Sequence, residues 1–296
     1  MIEAGAHNGE LARDILIWLR EHRASLFARL EYGIVEPSAR RQEWQRRTLA
    51  EFGEKVRWFP DLASLREPAP APGRFPRSAF RVPRLAGVLF SNELLDATPV
   101  HRLGWDAQRR EWFEWGVALD GDQFVWARLP EPLHASRFTL HAPPELLAVL
   151  PNGFTTEICP AAADWWREAA SVLDCGKLVT LDYGLTALEF FAPHRRDGTL
   201  RAYRQHQVSG DVLANPGEQD LTAHVNFTAI QAAGEAAGLT TESFLTQAQF
   251  LVRIAEQTWR DTGSFGEWDA DRLRQFKTLT HPEHLGRPFR VLVQAR

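Results

Sequence analysis

The strongest constraint on the fold of this chain is the alternation of short apolar runs with helical runs along its first third. The runs typical of strands are residues 1–5, LEYGIVE (30–36), KVRWF (55–59) and AGVLF (86–90), and the helical runs are residues 9–22 and SARRQEWQRRTLAEF (38–52), with Ser38 as N-cap. Strands that alternate with helices favour an open, mostly parallel sheet with right-handed crossovers. We therefore predict an α/β fold.

The middle of the chain has a different pattern and predicts a β-rich insertion over residues 98–156. The run WFEWGVALDGDQFVWARL places DGD between two alternating apolar stretches, which is typical of a β-hairpin. The chain therefore divides into residues 1–97, the insertion 98–156, and residues 157–296. The remaining expected elements are a proline-rich surface loop (66–84), a helix (160–173), a strand (177–184), an irregular polar stretch (185–223), a helix ended by Gly238 (224–238), and two closing strands (239–246 and 288–296).

Composition argues against several classes of protein. A chain of 296 residues, 44% apolar and 24% charged, suits one large domain with an insertion. The net charge of −4 and the isoelectric point near 6.2 argue against nucleic-acid binding. Cys159 and Cys175 are too few for a disulfide framework or a zinc site. No apolar window approaches the roughly 18 residues of a membrane helix, and no secretory signal pattern is present. We expect a cytoplasmic protein without membrane insertion, and the oligomeric state stays open.

The opening stretch MIEAGAHNGELARDIL (1–16) narrows the choice of nucleotide ligand. Counted from Gly5, a dinucleotide fingerprint needs glycines where the chain has His7 and Glu10, and no Gly-Lys-Ser/Thr follows to make a phosphate loop. What remains is Glu3-x-Gly5-x-x-x-Gly9 between a strand and a helix. An acid at the strand end disfavours phosphate and suits a cationic ligand with ribose hydroxyls. S-adenosylmethionine has a sulfonium, an ammonium and no phosphate, so it fits this turn.

Two further acids follow the next two strands and support the same ligand. Glu36 ends the second strand, where its carboxylate is placed to accept both ribose hydroxyls, since ligands bind at the carboxyl ends of parallel strands. Asp61 follows the third strand, where it faces the adenine edge in this interpretation. The alternative for each acid is a solvated surface group.

The segment SNELLDATP (91–99) follows the fourth strand and offers an amide and two carboxylates. Asn92 provides the amide, and Glu93 and Asp96 provide carboxylates that would hold a cationic nitrogen nucleophile. Methyl transfer is an in-line displacement, so an enzyme mainly has to align the nitrogen with the methyl carbon. The alternative is that Ser91 or Asn92 caps a helix and that Asp96 belongs to a turn.

Two later segments complete the set of candidate catalytic residues. Asp182 follows the strand KLVTLDYG, and His224 lies in PGEQDLTAHVNF (216–227). In the alternative interpretation, Asp220 or Thr222 caps the following helix and His224 forms a hydrogen bond at the helix start. No group of histidines, cysteines and acids has the spacing of a metal site, and no serine nucleophile elbow is present.

The order of five segments resembles the MidA family of class I S-adenosylmethionine-dependent methyltransferases. These segments are EAGAHNGELARDIL, SNELLDATPV, LVTLDYG, DGTLRAYRQH and PGEQDLTAHVNF, and the resemblance runs from residue 1 to about residue 260. It implies a Rossmann-like methyltransferase sheet, S-adenosylmethionine as cofactor and a protein arginine as acceptor. The family includes a mitochondrial assembly factor that methylates an arginine of a respiratory complex I subunit, which makes such a subunit a candidate partner. The motifs carry over to Glu3, Gly5 and Gly9 in the cofactor turn, Glu36 as the ribose acid, and Asn92 and Glu93 after the fourth strand.

The chain departs from the family pattern in two places. The family usually has glycine at the position of His7, so the approach of the backbone to the cofactor is expected to be restricted. Family members also carry tens of residues before the first strand, including a polar segment expected to cover the cofactor. A fragment and a branch without that segment are the two alternatives. Both departures favour a second hypothesis, a non-catalytic assembly or scaffold protein that retains the fold, whereas the retained acids favour the leading hypothesis, a methyltransferase acting on a protein nitrogen. A third, a nicotinamide oxidoreductase, is disfavoured by the failed glycine fingerprint.

Overall fold

The computed structural model describes residues 1–66, 85–130, 139–204, 207–209 and 211–296. The expected proline-rich loop lies outside these residues from position 67 onward. The chain forms two compact units. The first contains Met1–Leu94, Arg167–Asp182 and Gly234–Arg296, and the second contains Leu95–Trp166 and Tyr183–Ala233. The second unit thus takes in more of the chain than the expected insertion at 98–156, because residues 183–233 also belong to it.

The strands and helices of the described residues follow in chain order. The strands are β1 (Ile2–Ala4), β2 (Tyr32–Val35), β3 (Val56–Phe59), β4 (Leu85–Asn92), β5 (His101–Asp106), β6 (Glu111–Asp120), β7 (Gln123–Arg128), β8 (Thr155–Ile158), β9 (Leu173–Leu185), β10 (Arg201–Arg204), β11 (Gln207–Ser209), β12 (Asp220–Thr222), β13 (Val225–Asn226), β14 (Thr240–Thr246) and β15 (Phe289–Ala295). The helices are α1 (Glu10–His22), α2 (Ala24–Arg29), α3 (Ala39–Thr48), α4 (Pro144–Leu147), α5 (Pro160–Val172), α6 (Ala187–Phe190), α7 (Phe227–Ala236), α8 (Gln247–Arg260), α9 (Thr262–Phe265) and α10 (Ala270–Thr280). Short 3₁₀ helices at Ala50–Lys55 and Ala63–Arg66 and a π-helical turn at Pro282–Gly286 complete the set.

The first unit is built on an open sheet with the strand order β14-β15-β9-β4-β1-β2-β3. The neighbours from β9 to β3 pair in parallel, and β14 pairs antiparallel with β15. Parallel neighbours need a crossover, and α1 and α3 lie in the crossovers that follow β1 and β2. The predicted α/β fold is confirmed.

Helix α1 buries one face against the core of the first unit, and of the apolar positions expected on that face Leu16 and Leu19 are buried, whereas Leu11 is exposed. In α1 the residues Ala12, Leu16 and Leu19 are buried, at spacings that bring them to one face of the helix. The Ser38 hydroxyl accepts a hydrogen bond from Arg41 N, so the predicted N-cap of α3 is confirmed. The predicted helix over 38–52 is divided, because α3 ends at Thr48 and a 3₁₀ helix follows. The apolar cluster beneath these elements comprises Ala6, Ala12, Leu16, Tyr32, Ile34, Leu49, Phe52, Val56 and Phe90.

The second unit contains the expected hairpin in an antiparallel sheet of order β7-β6-β5-β8. Asp120 pairs with Gln123 around the two-residue turn Gly121-Asp122, and Gly121 has a φ of 59°. The same unit holds a three-stranded sheet of order β11-β10-β12 where an irregular stretch was expected. That expectation was wrong because these strands are short and lack an alternating apolar pattern.

The expected helix over 224–238 begins later than its sequence suggests. Val225 and Asn226 form β13, which pairs in parallel with Gly184 and Leu185 of β9. Helix α7 starts at Phe227, and the Asn226 side chain accepts a hydrogen bond from Ala229 N. Asp220 and Thr222 belong to β12, so the alternative that either one caps this helix was wrong. Gly238 follows the helix with a φ of 85°, as a C-terminal stop requires.

Candidate functional site

Strand register brings three candidate residues to one edge of the first unit's sheet. Ala4 pairs with Val35 on one side and with Ser91 on the other. The residues that follow these three are Gly5, Glu36 and Asn92. Neighbouring strands lie about 4.8 Å apart, so these three residues leave the carboxyl edge side by side. Ligands of open α/β sheets bind at this edge.

The turn after β1 is complete, although its strand is short. Gly5, His7 and Gly9 have φ angles of 75°, 45° and 85°, in the left-handed region. Gly5 N donates to Val35 O at 3.3 Å, and Gly9 N donates to Ala6 O at 2.7 Å. A Cβ atom on Gly5 would lie 2.9 Å from Leu94 Cδ1, so a side chain at this position would require the Leu94 side chain to move. His7 takes the left-handed conformation without being glycine, which accommodates the departure noted in the sequence.

Two buried acids stand beside this turn. Glu3 accepts a hydrogen bond from Tyr32 Oη at 2.7 Å, and burial raises the pKa of the Glu3 carboxyl more than this hydrogen bond lowers it. Glu36 is 2% exposed, and its Oε1 accepts a hydrogen bond from Ser38 N at 2.9 Å. Within the described part of the chain, neither carboxylate has a cationic side chain within 4 Å.

Gln45, which the sequence patterns did not indicate, connects the turn to Glu36. Its Nε2 donates to His7 O at 3.0 Å and to Glu36 Oε2 at 3.3 Å, and its Oε1 accepts from Trp58 Nε1 at 3.1 Å. The side chain is completely buried. One signal was available, because Gln45 precedes the core residue Leu49 by four positions and therefore shares its face of the helix.

Asp61 makes local contacts that the sequence did not predict. Its Oδ1 accepts hydrogen bonds from Ser64 N at 2.8 Å and Ser64 Oγ at 2.6 Å, and these bonds lower the pKa of the carboxyl. The residue is exposed at the start of a 3₁₀ helix. It therefore acts as a helix cap in this structure, and its contact with adenine stays a prediction.

The turn after β4 holds Glu93 in a conformation that costs energy for an L-residue. Glu93 has a φ of 49° and an exposed side chain. Its backbone N donates to Leu181 O at 2.9 Å, and the next backbone N, of Leu94, donates to Asp182 Oδ2 at 3.2 Å. Asn92 Nδ2 lies 3.3 Å from Glu93 Oε1, within hydrogen-bonding distance. Asp182, a predicted catalytic residue, is fully buried, and its contact with Leu94 N supports the turn.

The remaining two candidates belong to the second unit. Asp96 is buried, and its backbone O accepts a hydrogen bond from Ala223 N at 2.9 Å. His224 N donates to Thr199 Oγ1 at 3.1 Å, and its ring stacks on Tyr183 with 6.5 Å between centroids. Among the described residues, His224 Nδ1 is buried without a hydrogen-bond partner.

His224 is neutral at pH 7 for two physical reasons. Burial, followed by the positive charges of Arg195 and Arg201, lowers its pKa to about 4.

Thr199 links the His224 backbone to Glu157, because Thr199 donates from N and Oγ1 to Glu157 Oε2 at 2.6 and 3.0 Å. The backbone of His224 is thus tied to a buried carboxylate through one threonine, and the ring does not cap α7.

The side chains at the sheet edge suit a cationic nucleoside better than a phosphorylated one. Glu3 and Glu36 are buried acids, and a phosphate beside them would meet like charge at short range. Gly5 is half-buried and Gly9 is buried, and both supply the left-handed backbone angles of the turn. Across the residues that the structure describes, no group of three or more histidines, cysteines or acids is arranged to bind a metal ion. In the same residues no helix has the length and apolar character needed to span a membrane.

A family model matches residues 1–245 of this chain and is described as "Putative S-adenosyl-L-methionine-dependent methyltransferase". Two crystal structures from Burkholderia thailandensis, both of one protein superfamily, are similar over the whole chain. The first, bound to S-adenosyl-homocysteine, is 31% identical, has a TM-score of 0.76 and is covered over 70% of its length. The second, a native structure, is 29% identical, has a TM-score of 0.74 and is covered over 73%.

Curated relatives carry the name Protein arginine methyltransferase NDUFAF7, mitochondrial. The protein from Xenopus tropicalis is 30% identical over 184 residues, which is 58% of this chain and 37% of the relative. The protein from Mus musculus is 28% identical over 98% of this chain and 65% of the relative. The chain spans about half the length of the curated relatives that it matches.

Proposed function

The chain belongs to the family of S-adenosyl-L-methionine-dependent methyltransferases and has their class I fold, and from this premise we propose that it methylates a guanidinium nitrogen of arginine in a protein. The relatives named as protein arginine methyltransferases support this acceptor. One observation carries the proposal within this chain: an exposed glutamate is held at a positive φ directly after β4.

The residues of the first turn would hold the cofactor. When bound, S-adenosylmethionine supplies an electrophilic methyl group on a sulfonium. Glu36 would accept the ribose hydroxyls, because its carboxylate has lone pairs beyond those used by Ser38 and Gln45. Glu3 places a carboxyl group close to the turn, and Gly5 and Gly9 give the turn its left-handed backbone angles.

Glu93 would hold the acceptor nitrogen. The lone pairs of a guanidinium are delocalised, so a carboxylate that fixes its plane also keeps positive charge away from the attacking nitrogen. Asn92, which lies within hydrogen-bonding distance of Glu93 Oε1, orients this carboxylate. Asp182 acts through Leu94 and is a positioning residue in this proposal. Catalysis here depends mainly on alignment of the two reacting atoms.

Asp96 and His224 have smaller roles in this proposal. Asp96 is buried, and we expect Asp96→Asn to lower turnover less than a change at Glu93. His224 has a pKa of about 4 and is a weak base at neutral pH, so proton removal by its ring would contribute little to the rate.

Methyl transfer from labelled S-adenosylmethionine to a pool of arginine peptides tests the proposal. The matched pool carries lysine in place of arginine, and a respiratory complex I subunit serves as a protein acceptor. We expect label on arginine, greatly reduced by Glu93→Gln and unchanged by Glu54→Gln, another exposed glutamate of the first unit. Cofactor binding with no transfer to either pool or to the subunit would favour a non-catalytic assembly or scaffold protein. Transfer to lysine alone would overturn the arginine assignment.

A further inference from the structure

The second unit has a cavity of about 410 Å³ on one face of its four-stranded sheet. On the sheet side it is lined by Trp115, Val117 and Trp126, and on the opposite side Leu213 and Leu221 contribute. Val117 pairs directly with Trp126, and Trp115 lies two residues before Val117 on the same strand. Paired residues and residues two apart share a face, so these three side chains form one apolar floor.

The floor of the cavity continues into an exposed apolar surface along the hairpin. Leu119 pairs with Phe124, two residues further along the hairpin than the Val117–Trp126 pair and therefore on the same face. Val117, Leu119 and Phe124, here called the hairpin strip, are 52%, 68% and 43% exposed. From Trp115 to Leu119 the strand advances about 13 Å at roughly 3.3 Å per residue. Leu119 and Phe124 do not line the cavity, so a small ligand within it would leave these two residues of the strip uncovered.

The charges around this surface favour a basic partner. The hairpin turn beyond the strip carries two exposed carboxylates, Asp120 and Asp122. Arg102, which lines the cavity, is paired with Glu157 at 3.7 Å and stacks over Trp126 at 4.5 Å. The exposed charge at the end of the strip is thus negative, and the cation at the cavity already has its own partners.

We propose that the cavity and the hairpin strip bind the arginine-bearing acceptor polypeptide of the proposed reaction, on which this inference rests. An apolar side chain of the acceptor fills the cavity, the extended chain lies along the strip, and a basic side chain reaches Asp120 and Asp122. An apolar pocket gives affinity, and carboxylates beside it select a cationic flank.

Binding of labelled peptides to the whole protein, followed by fluorescence anisotropy, tests the inference without any need for activity. The probe is a pool of short peptides that combine one leucine or phenylalanine with one arginine. The variant Val117→Asp with Leu119→Asp places charge on the strip, and Leu188→Asp, at a position 65% exposed in α6, is the matched control. We expect at least about tenfold weaker binding in the first variant, a change of about 1.4 kcal/mol, and none in the control.

A second variant keeps the inference falsifiable if the first one fails to fold. Asp120→Asn with Asp122→Asn suits the turn, since asparagine is favoured there, and it should weaken binding of arginine peptides but not of neutral ones. No peptide binding, equal binding by all variants, or binding that ignores arginine would overturn the inference. A small apolar dye that fills the cavity without being displaced by the peptides would also overturn it. Peptide binding without methyl transfer would contradict the proposed function but would still support the docking surface.

Discussion

Two turns of the first unit leave neighbouring strands at the same sheet edge and reach positive φ angles by different means. After β1 the chain uses Gly5 and Gly9, with His7 between them. After β4 it uses Glu93, although glycine would adopt the same backbone at no steric cost. An L-residue in the left-handed region costs about 1–2 kcal/mol. In the proposed function the first turn contacts the cofactor, and the second presents a carboxylate to the acceptor.

The hydrogen bonds that hold the two turns differ in the same way. The first turn is fixed through backbone groups, because Val35 O accepts from Gly5 N and the Gln45 amide donates to His7 O. The second is fixed on either side of Glu93 by Leu181 O and Asp182, which leaves the Glu93 side chain exposed. A side chain held in a strained position by buried neighbours is typical of a functional site.

The largest effect is expected at Glu93. Glu93→Gln should lower single-turnover methyl transfer by about 10²-fold, as is usual when a key electrostatic group is lost. Glu93→Gly should lose as much activity while its unfolding free energy stays equal or rises by up to about 1 kcal/mol, since the backbone strain is relieved. Denaturant unfolding measures the second quantity. A glycine variant with the wild-type rate would show that only the shape of the turn matters.

The next effect concerns Gln45, the link between the first turn and Glu36. Gln45→Ala leaves Glu36 Oε2 and Trp58 Nε1 without this partner, which should cost about 1–3 kcal/mol of unfolding free energy. Gln42→Ala is the matched control, because Gln42 donates to Glu36 O from a half-buried position that water can reach. Equal losses in the two variants would contradict the special position of Gln45.

Gly5 tests whether the first turn needs its glycine for space as well as for conformation. Gly5→Ala combines a φ of 75° with a Cβ atom 2.9 Å from Leu94 Cδ1. Gly153→Ala has a similar φ, 78°, and open space around its Cβ position. We expect the control to lose about 1 kcal/mol and Gly5→Ala to lose about 1 kcal/mol more. Thermal unfolding of both variants supplies the comparison, and identical losses would mean that Leu94 moves aside freely.

The smallest effect is a pH dependence at Glu3. Burial raises the pKa of this carboxyl above its usual value, so its contribution to stability is full below the unfolded-state pKa and is lost as the pH rises through the folded-state pKa. Glu3→Gln keeps an acceptor for Tyr32 and removes this loss. From pH 4 to pH 7 the variant should therefore gain unfolding free energy relative to the wild type. A difference that stays constant across this range would argue against a buried ionisable group at this position.

Periodicity in the sequence predicted the elements that place the site. The strands β1 to β4, the helix α1 and the hairpin at Gly121-Asp122 all have strong local patterns. The strands β10, β11 and β12 have three or four residues each, with no alternation, and tertiary contacts decide their structure. The same holds for the second unit, because residues 183–233 join it through contacts that are distant in sequence.

The sequence indicated which acids lie at the sheet edge but not where their side chains point. Glu36 and Glu93 could be placed from the strands that they follow. Asp182 was expected after a strand, but it lies within β9, where its buried carboxylate accepts from Leu94 N, and the Asp61 carboxylate accepts from Ser64. Side-chain direction at a strand end depends on partners across the fold, which no local pattern encodes.

Calorimetric titration with S-adenosyl-homocysteine tests the division between the two turns most directly. Glu36→Ala should bind at least about tenfold more weakly than the wild type, because a carboxylate that accepts two ribose hydroxyls makes charge-assisted hydrogen bonds worth about 1.5–3 kcal/mol each. Glu93→Gly should bind within about twofold of the wild type, because its carboxylate serves the acceptor. Unchanged affinity in a folded Glu36→Ala protein, or a large loss in Glu93→Gly, would contradict the assignment of the cofactor to the first turn with the neighbouring Glu36, and of the acceptor to the second turn.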